Sequence, residues 1–163
     1  KPRDDFSVSV VADLIKNHPL REKIIVSSFY ANPLQWLHRH KIDVRTACLW
    51  GWFDILDWPA NLANLPPQVM MENCHSKIFH PYGPRVDEHL MEIARHYGWE
   101  VFPWYGYNDI EAQQPEQEWE NLYSLGVDGL CTNFPRQFAL WVKDTEEFSF
   151  ELDHISLKDH LPG

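Results

Sequence analysis

The sequence predicts an α/β fold built on a parallel sheet, and three features of the chain carry that prediction. Five short strand-like runs alternate with segments of helical apolar spacing between residues 23 and 143, the pattern of repeated βα units. The runs are apolar along their length and do not alternate, as strands covered on both faces are. Short turns join the segments. A doubly wound open sheet and a (β/α) barrel both satisfy this pattern.

The elements follow in order. Val10, Val11, Leu14 and Ile15 recur at helical spacing until His18-Pro19 stops them. KIIVSSFY (23–30) is the first strand. Asn32 and Pro33 open a helix with Leu34 and Leu37 on one face and Trp36 beside them. VRTACLW (44–50) is the second strand. The stretch 51–76 carries Trp52, Trp58, Pro59, Pro66 and Pro67, and is expected to hold one short helix near 68–73. KIFHPY (77–82) is the third strand. Val86, Leu90, Ile93, Ala94 and Tyr97 form the most regular amphipathic helix, closed by Gly98. WEVFPWY (99–105) is the fourth strand, with Pro103 counting against it. Glu111–Leu125 is helical, with Trp119, Leu122 and Tyr123 inward. GVDGLCTN (126–133) is the fifth strand, and 135–143 the last helix.

At 163 residues and 44% apolar content, with eight Trp, the chain has material for one well-packed domain. Its formal charge of −10 disfavours nucleic acid and anionic membrane as partners. Part of that charge is concentrated in Asp144, Glu146, Glu147, Glu151, Asp153 and Asp159. Residues 1–144 therefore read as the folded part and 145–163 as an acidic, solvated tail. Cys48, Cys74 and Cys131 are odd in number and lack CxxC spacing. They read as buried or isolated thiols, not as a disulfide frame or zinc site. No apolar run approaches the ~20 residues of a spanning helix, and no signal peptide opens the chain. Lys1-Pro2-Arg3 reads as mid-protein sequence. The compartment stays unassigned, with the cytoplasm favoured.

Function in either architecture belongs at the C-terminal strand ends. Here these are Ser27-Ser28-Phe29, Leu49-Trp50, His80-Pro81-Tyr82, Trp104-Tyr105 and Thr132-Asn133. Hydroxyls, aromatic rings, an imidazole and an amide suit a polyol or phosphate ligand. Without carboxylates they are a poor set for hydrolysis. Ser28 can instead bond local backbone at its turn, and Asn133 can cap the helix opening near Pro135. His80 precedes a proline and could equally be a partly buried histidine. His38 and His40, two apart, point to different faces of a helix. His75 has no partner at ligand spacing.

These strand ends, in this order, resemble the C-terminal part of the glycerophosphodiester phosphodiesterase family. IIVSSF (24–29) matches its strand ending in Ser-Phe, and RTACL (45–49) its Arg-x-Ala-x-Leu strand. VDEHLMEIARHYG (86–98) matches the helix that follows. EVFPWYGYN (100–108) and NLYSLGVDGLCTNFP (121–135) match the last two strand segments. The resemblance spans about 24–135 and implies a TIM-type (β/α)8 barrel, of which this chain supplies the C-terminal five βα units. The N-terminal three strands would then be absent from the chain.

The implied activity is hydrolysis of glycerophosphodiesters to glycerol phosphate and an alcohol, in lipid metabolism. The family uses a divalent cation, Ca²⁺ or Mg²⁺, held by carboxylates of the first strands. None of those motifs is present here, so no metal ligand is assigned and this chain alone is expected to hold no cation and to be inactive. The N-terminal half of the same barrel is the expected partner. Lys1 falls where a catalytic lysine of the third strand would stand. Trp104 matches a tryptophan suited to packing on glycerol carbons, although Tyr105-Gly106 replace the family's Thr-Val. Asn133 stands where the family has Asp. Ser28, Phe29 and His80 complete the substrate-binding set. A non-catalytic polyol- or phosphate-binding module and a phospholipase D-like phosphodiesterase are the alternatives.

Overall fold

The structure is a computed structural model that describes residues 5–51, 65–106 and 110–144. Lys1, Trp52, Trp58, Pro59, Asn108 and the acidic tail lie outside the described residues. The chain divides into two units, Lys1–Asn133 and Phe134–Gly163.

In the first unit the elements run α1 (Asp5–Lys16), β1 (Ile25–Ser28), α2 (Ala31–Arg39), β2 (Arg45–Trp50), α3 (Pro67–Cys74) and β3 (Ile78–Pro81). Then come α4 (Glu88–Tyr97), β4 (Glu100–Val101), α5 (Ile110–Gln113) and α6 (Pro115–Leu125). The second unit holds α7 (Pro135–Asp144), whose Phe138 and Trp141 rings stack 5.9 Å apart. No helix among the described residues is long and apolar enough to cross a membrane.

The four strands are parallel and ordered β1-β2-β3-β4. A doubly wound sheet reverses its strand order at a switch point, whereas a barrel adds each strand beside the last. Sequential order therefore selects an arc of a barrel. Register divides the two faces: Ser28, Cys48, Phe79 and Val101 pair in one row. Cys48, Phe79 and Val101 pack with Leu34, Met70, Met71, Leu90, Met91 and Ala94 of the helices. Ser27, Ala47 and Ile78, in the adjacent row, face the other way.

Local chemistry sets the boundaries. Asp87 caps α4 through its carboxylate, which accepts the Leu90 N–H at 2.8 Å. Gly98 ends that helix at φ 66°, a left-handed value that suits glycine. Pro115 splits the helix expected over 111–125 into α5 and α6, since proline favours a first-turn position over a helix interior. Tyr97, expected on the apolar face of α4, is 50% exposed and stacks on Trp99 at 4.9 Å.

The fifth strand is corrected. Residues 128–131 run beside β4, but only Trp104 and Cys131 form a bridge. On that side of β4, the Val101 N–H donates to the Asp128 carboxylate at 2.7 Å and Pro103 has no N–H to give. Only carbonyls remain. Val101 accepts from Asp128 and Gly129, and Pro103 from Cys131. Half of a parallel ladder is thus missing, and Cys131 is exposed.

Candidate functional site

The site is built by backbone that continues past the strands. Tyr82 donates its N–H to the Trp50 carbonyl at 2.8 Å and Trp104 to that of Pro81 at 2.9 Å. Gly83 donates to the Trp104 carbonyl at 2.8 Å. Gly83 also admits Tyr105: a Cβ there would sit 2.5 Å from the Tyr105 ring. The Tyr105 hydroxyl donates to Glu118 at 3.1 Å.

Three aromatic rings meet on the face turned from the helices. Trp104 packs edge-on to Phe29 at 5.4 Å and tilted against Tyr82 at 5.3 Å. Phe29 follows β1 and Trp104 follows β4, three strand spacings away, or ~14 Å in a flat sheet. Their contact requires both rings to converge across a concave surface. This is the interior face of the arc.

His80 shares that face and is buried. Its Nδ1 donates to the Phe102 carbonyl, which fixes the orientation of the ring. Ser28 does not share it. It lies in the row facing the helices, fully buried, and its Oγ accepts the Tyr30 N–H at 3.0 Å where α2 begins. The serine on the concave face is Ser27, one residue earlier.

Asn133 belongs to a second constellation around Glu111, a residue the sequence marked only as the start of a helix. Glu111 is fully buried. Its Oε1 accepts from the Trp119 indole at 3.1 Å and from the Thr132 hydroxyl. Its Oε2 accepts from the Asn133 backbone N–H and side-chain amide, each at 3.1 Å. Asn133 Nδ2 also donates to the Gly106 carbonyl at 3.1 Å. Four donors compensate the buried carboxylate. Chemically this is a clamp that fixes the end of the last strand segment to α5 and α6, with its oxygens already engaged.

Among the described residues, cavities lie at both ends of the strands. One of about 300 Å³ lies beside Phe29, Tyr30, Asn32, Met70 and Asn73, at the C-terminal end of β1. A larger one, about 450 Å³, lies at the opposite pole, where β2, β3 and β4 begin. It is lined by His38, Arg45, His75, Lys77 and Glu100. The His38 and His75 rings stack 5.0 Å apart there, a contact invisible in sequence because 37 positions separate them. Arg45 pairs with Glu100 at 2.5 Å. In barrels that pole serves stability, and chemistry occupies the other. Among the described residues no three His, Cys, Asp or Glu side chains cluster as metal ligands.

No protein-family model and no curated protein matches the sequence. Solved structures do. A protein assigned as a glycerophosphoryl diester phosphodiesterase from Silicibacter pomeroyi aligns with a TM-score of 0.63 at 20% identity, over 85% of this chain and 43% of its own. An assigned glycerophosphoryl diester phosphodiesterase from Agrobacterium tumefaciens gives 0.62 at 20% identity, over 90% and 54%. An Oleispira antarctica phosphodiesterase, in complex with the product sn-glycerol-3-phosphate, gives 0.60 at 16% identity, over 83% and 49%. The chain thus spans about half the length of the structures it matches. Its resemblance to glycerophosphodiester phosphodiesterases holds at the level of fold, as an α/β arc with a parallel sheet of four strands.

Proposed function

We propose that this chain is the C-terminal portion of a glycerophosphodiester phosphodiesterase barrel, and that it supplies the wall against which the glycerol part of the substrate lies. On this reading residues 1–144 contribute the four paired strands, and the bridged segment 128–131 in the place of a fifth, to the (β/α)8 cylinder, and 145–163 are a tail. The observation that carries the reading is the concave cluster of Phe29, Tyr82 and Trp104, beside buried His80, at the C-terminal strand ends. Such a surface offers ring faces and edges to the C–H groups of a polyol chain. The glycerol phosphate bound in the Oleispira antarctica phosphodiesterase supports the same ligand class here.

Trp104 and Phe29 pack on the glycerol carbons, and His80 stands beside them in the substrate-binding set. Ser27 adds a hydroxyl from the same face. Ser28 and Asn133 act indirectly, through the start of α2 and through the Glu111 clamp. In the complete barrel, carboxylates of the first strands would hold a Ca²⁺ or Mg²⁺ ion, which would supply charge stabilisation of the phosphodiester, with Lys1 as a catalytic lysine by resemblance. The proton-transfer groups also lie outside these residues, so the parent protein hydrolyses and this chain alone does not.

Replacing Trp104 with Ala in the complete protein tests the wall. A polyol contact predicts a KM for glycerophosphocholine raised about tenfold, equivalent to ~1.4 kcal/mol, with kcat little changed. An unchanged KM in a folded variant removes Trp104 from the substrate. Calorimetric titration of the complete protein with sn-glycerol-3-phosphate separates the alternatives: binding without turnover identifies a non-catalytic module.

A further inference from the structure

We propose that Cys48 and Cys74 are a disulfide-forming pair that links strand β2 to the last residue of α3. Their Sγ atoms lie 2.7 Å apart, although 26 positions separate them in the chain. A disulfide bond is about 2.05 Å long, so less than an ångström of side-chain movement separates this contact from a covalent bond. Both side chains are buried, at 0% and 1% exposure, in the core formed with Leu34, Met70, Met71 and Phe79.

The surroundings exclude other uses of two close thiols. A metal site needs further ligands, and none joins them among the described residues. A nucleophilic cysteine needs a cationic neighbour or a helix N-terminus to hold its thiolate. Cys74 instead ends a helix, and the neighbours are apolar. The contact with Cys74, and then burial, push the Cys48 thiol well above its usual range. The remaining chemistry is bonding between the two sulfurs.

The reaction is thiol–disulfide exchange. One cysteine thiolate attacks a small disulfide such as oxidised glutathione, expelling one glutathione thiolate and leaving a mixed disulfide. The second cysteine then displaces the other glutathione. Two S–H bonds are replaced by one S–S bond, and the two electrons and two protons leave on two reduced glutathione molecules. Because ionised Cys48 is rare in the folded core, exchange proceeds while β2 and α3 are parted, during folding or local opening. The product closes a ring over residues 48–74. The Trp50 indole, which donates to the Leu65 carbonyl at 3.1 Å, already narrows the same ring.

Cys131 is exposed and provides an internal control. The protein is refolded in a glutathione redox buffer, trapped by alkylation and mapped as unreduced peptides. A Cys48–Cys74 linked peptide with a mass loss of about 2 Da, and glutathione on Cys131, is the expected result. The linkage persists in Cys131→Ser and disappears in Cys48→Ser. It raises Tm by roughly 6–12 °C, as closing a ring of this size does, and reductant removes the gain. Alkylated Cys48 and Cys74 in protein whose Cys131 carries glutathione overturns the proposal. So does a linkage of either residue to Cys131. Because the wild-type map decides, failure of Cys48→Ser to fold leaves the test intact.

Discussion

A carboxylate removed from water is costly unless donors replace its hydration, and Glu111 meets four of them. Glu111→Ala leaves these donors facing a hole, so a loss of about 3–5 kcal/mol is expected in urea unfolding. Glu111→Gln keeps the shape but turns an amide NH₂ towards donors, at a cost of about 1–3 kcal/mol. A loss under about 0.5 kcal/mol for both changes would falsify the clamp. The two serines of β1 make an opposite pair. Ser28→Ala removes the acceptor of the Tyr30 N–H and is expected to cost about 0.5–1.5 kcal/mol while leaving glycerol phosphate affinity unchanged. Ser27→Ala, on the concave face, is expected to weaken that affinity with little change in stability. Titration calorimetry beside urea melts separates the two, and an inverted pattern rejects the assignment of faces.

At the scale of elements, attachment of residues 128–131 to β4 rests on Asp128 where Pro103 withholds its N–H. Asp128→Ala deprives the Val101 N–H of a charged acceptor, so about 1.5–3 kcal/mol should be lost. The Val101 amide should also exchange faster with solvent, while that of Phe79 keeps its protection. Equal protection of Val101 in both proteins would show that the carboxylate does not anchor the strand. The same elements show what a single chain of letters reveals. Apolar spacing places α2 and α4 because each buries one stripe; α1 also forms, but it buries Val8, Ala12 and Ile15 while Val10 and Leu14 of the expected stripe are exposed. The strands are apolar on both faces, so nothing in their pattern says which way Ser27 or Ser28 points; that is decided by pairing register. The fifth strand reads as a strand because Val127, Leu130 and Cys131 are apolar, but a ladder needs donors, and its neighbour's are spent or missing. Glu111 escapes notice because Thr132 and Asn133, which define its role, are 21 and 22 positions away.

At the scale of the molecule, the arc has an edge. Among the described residues β1 pairs with β2 alone, so one row of its backbone groups is available to another chain, and unpaired edges drive association. The formal charge of −10 opposes the approach of a second copy. Charge repulsion is screened over about 10 Å at 0.1 M salt and about 3 Å at 1 M, while strand pairing is insensitive to salt. The two effects therefore separate with ionic strength. These 163 residues in isolation are expected to sediment near monomer mass in dilute salt and to associate, with increasing concentration, at about 0.5 M. With Ca²⁺ or Mg²⁺ they are expected to leave glycerophosphocholine intact. Adding a polypeptide that carries the first three strands of the same barrel should suppress association and bring turnover together, because one surface serves both. Turnover by the isolated chain places the reactive groups among these residues. Monomers at every salt concentration, with β1 amides protected from exchange, show an edge that this chain covers by itself.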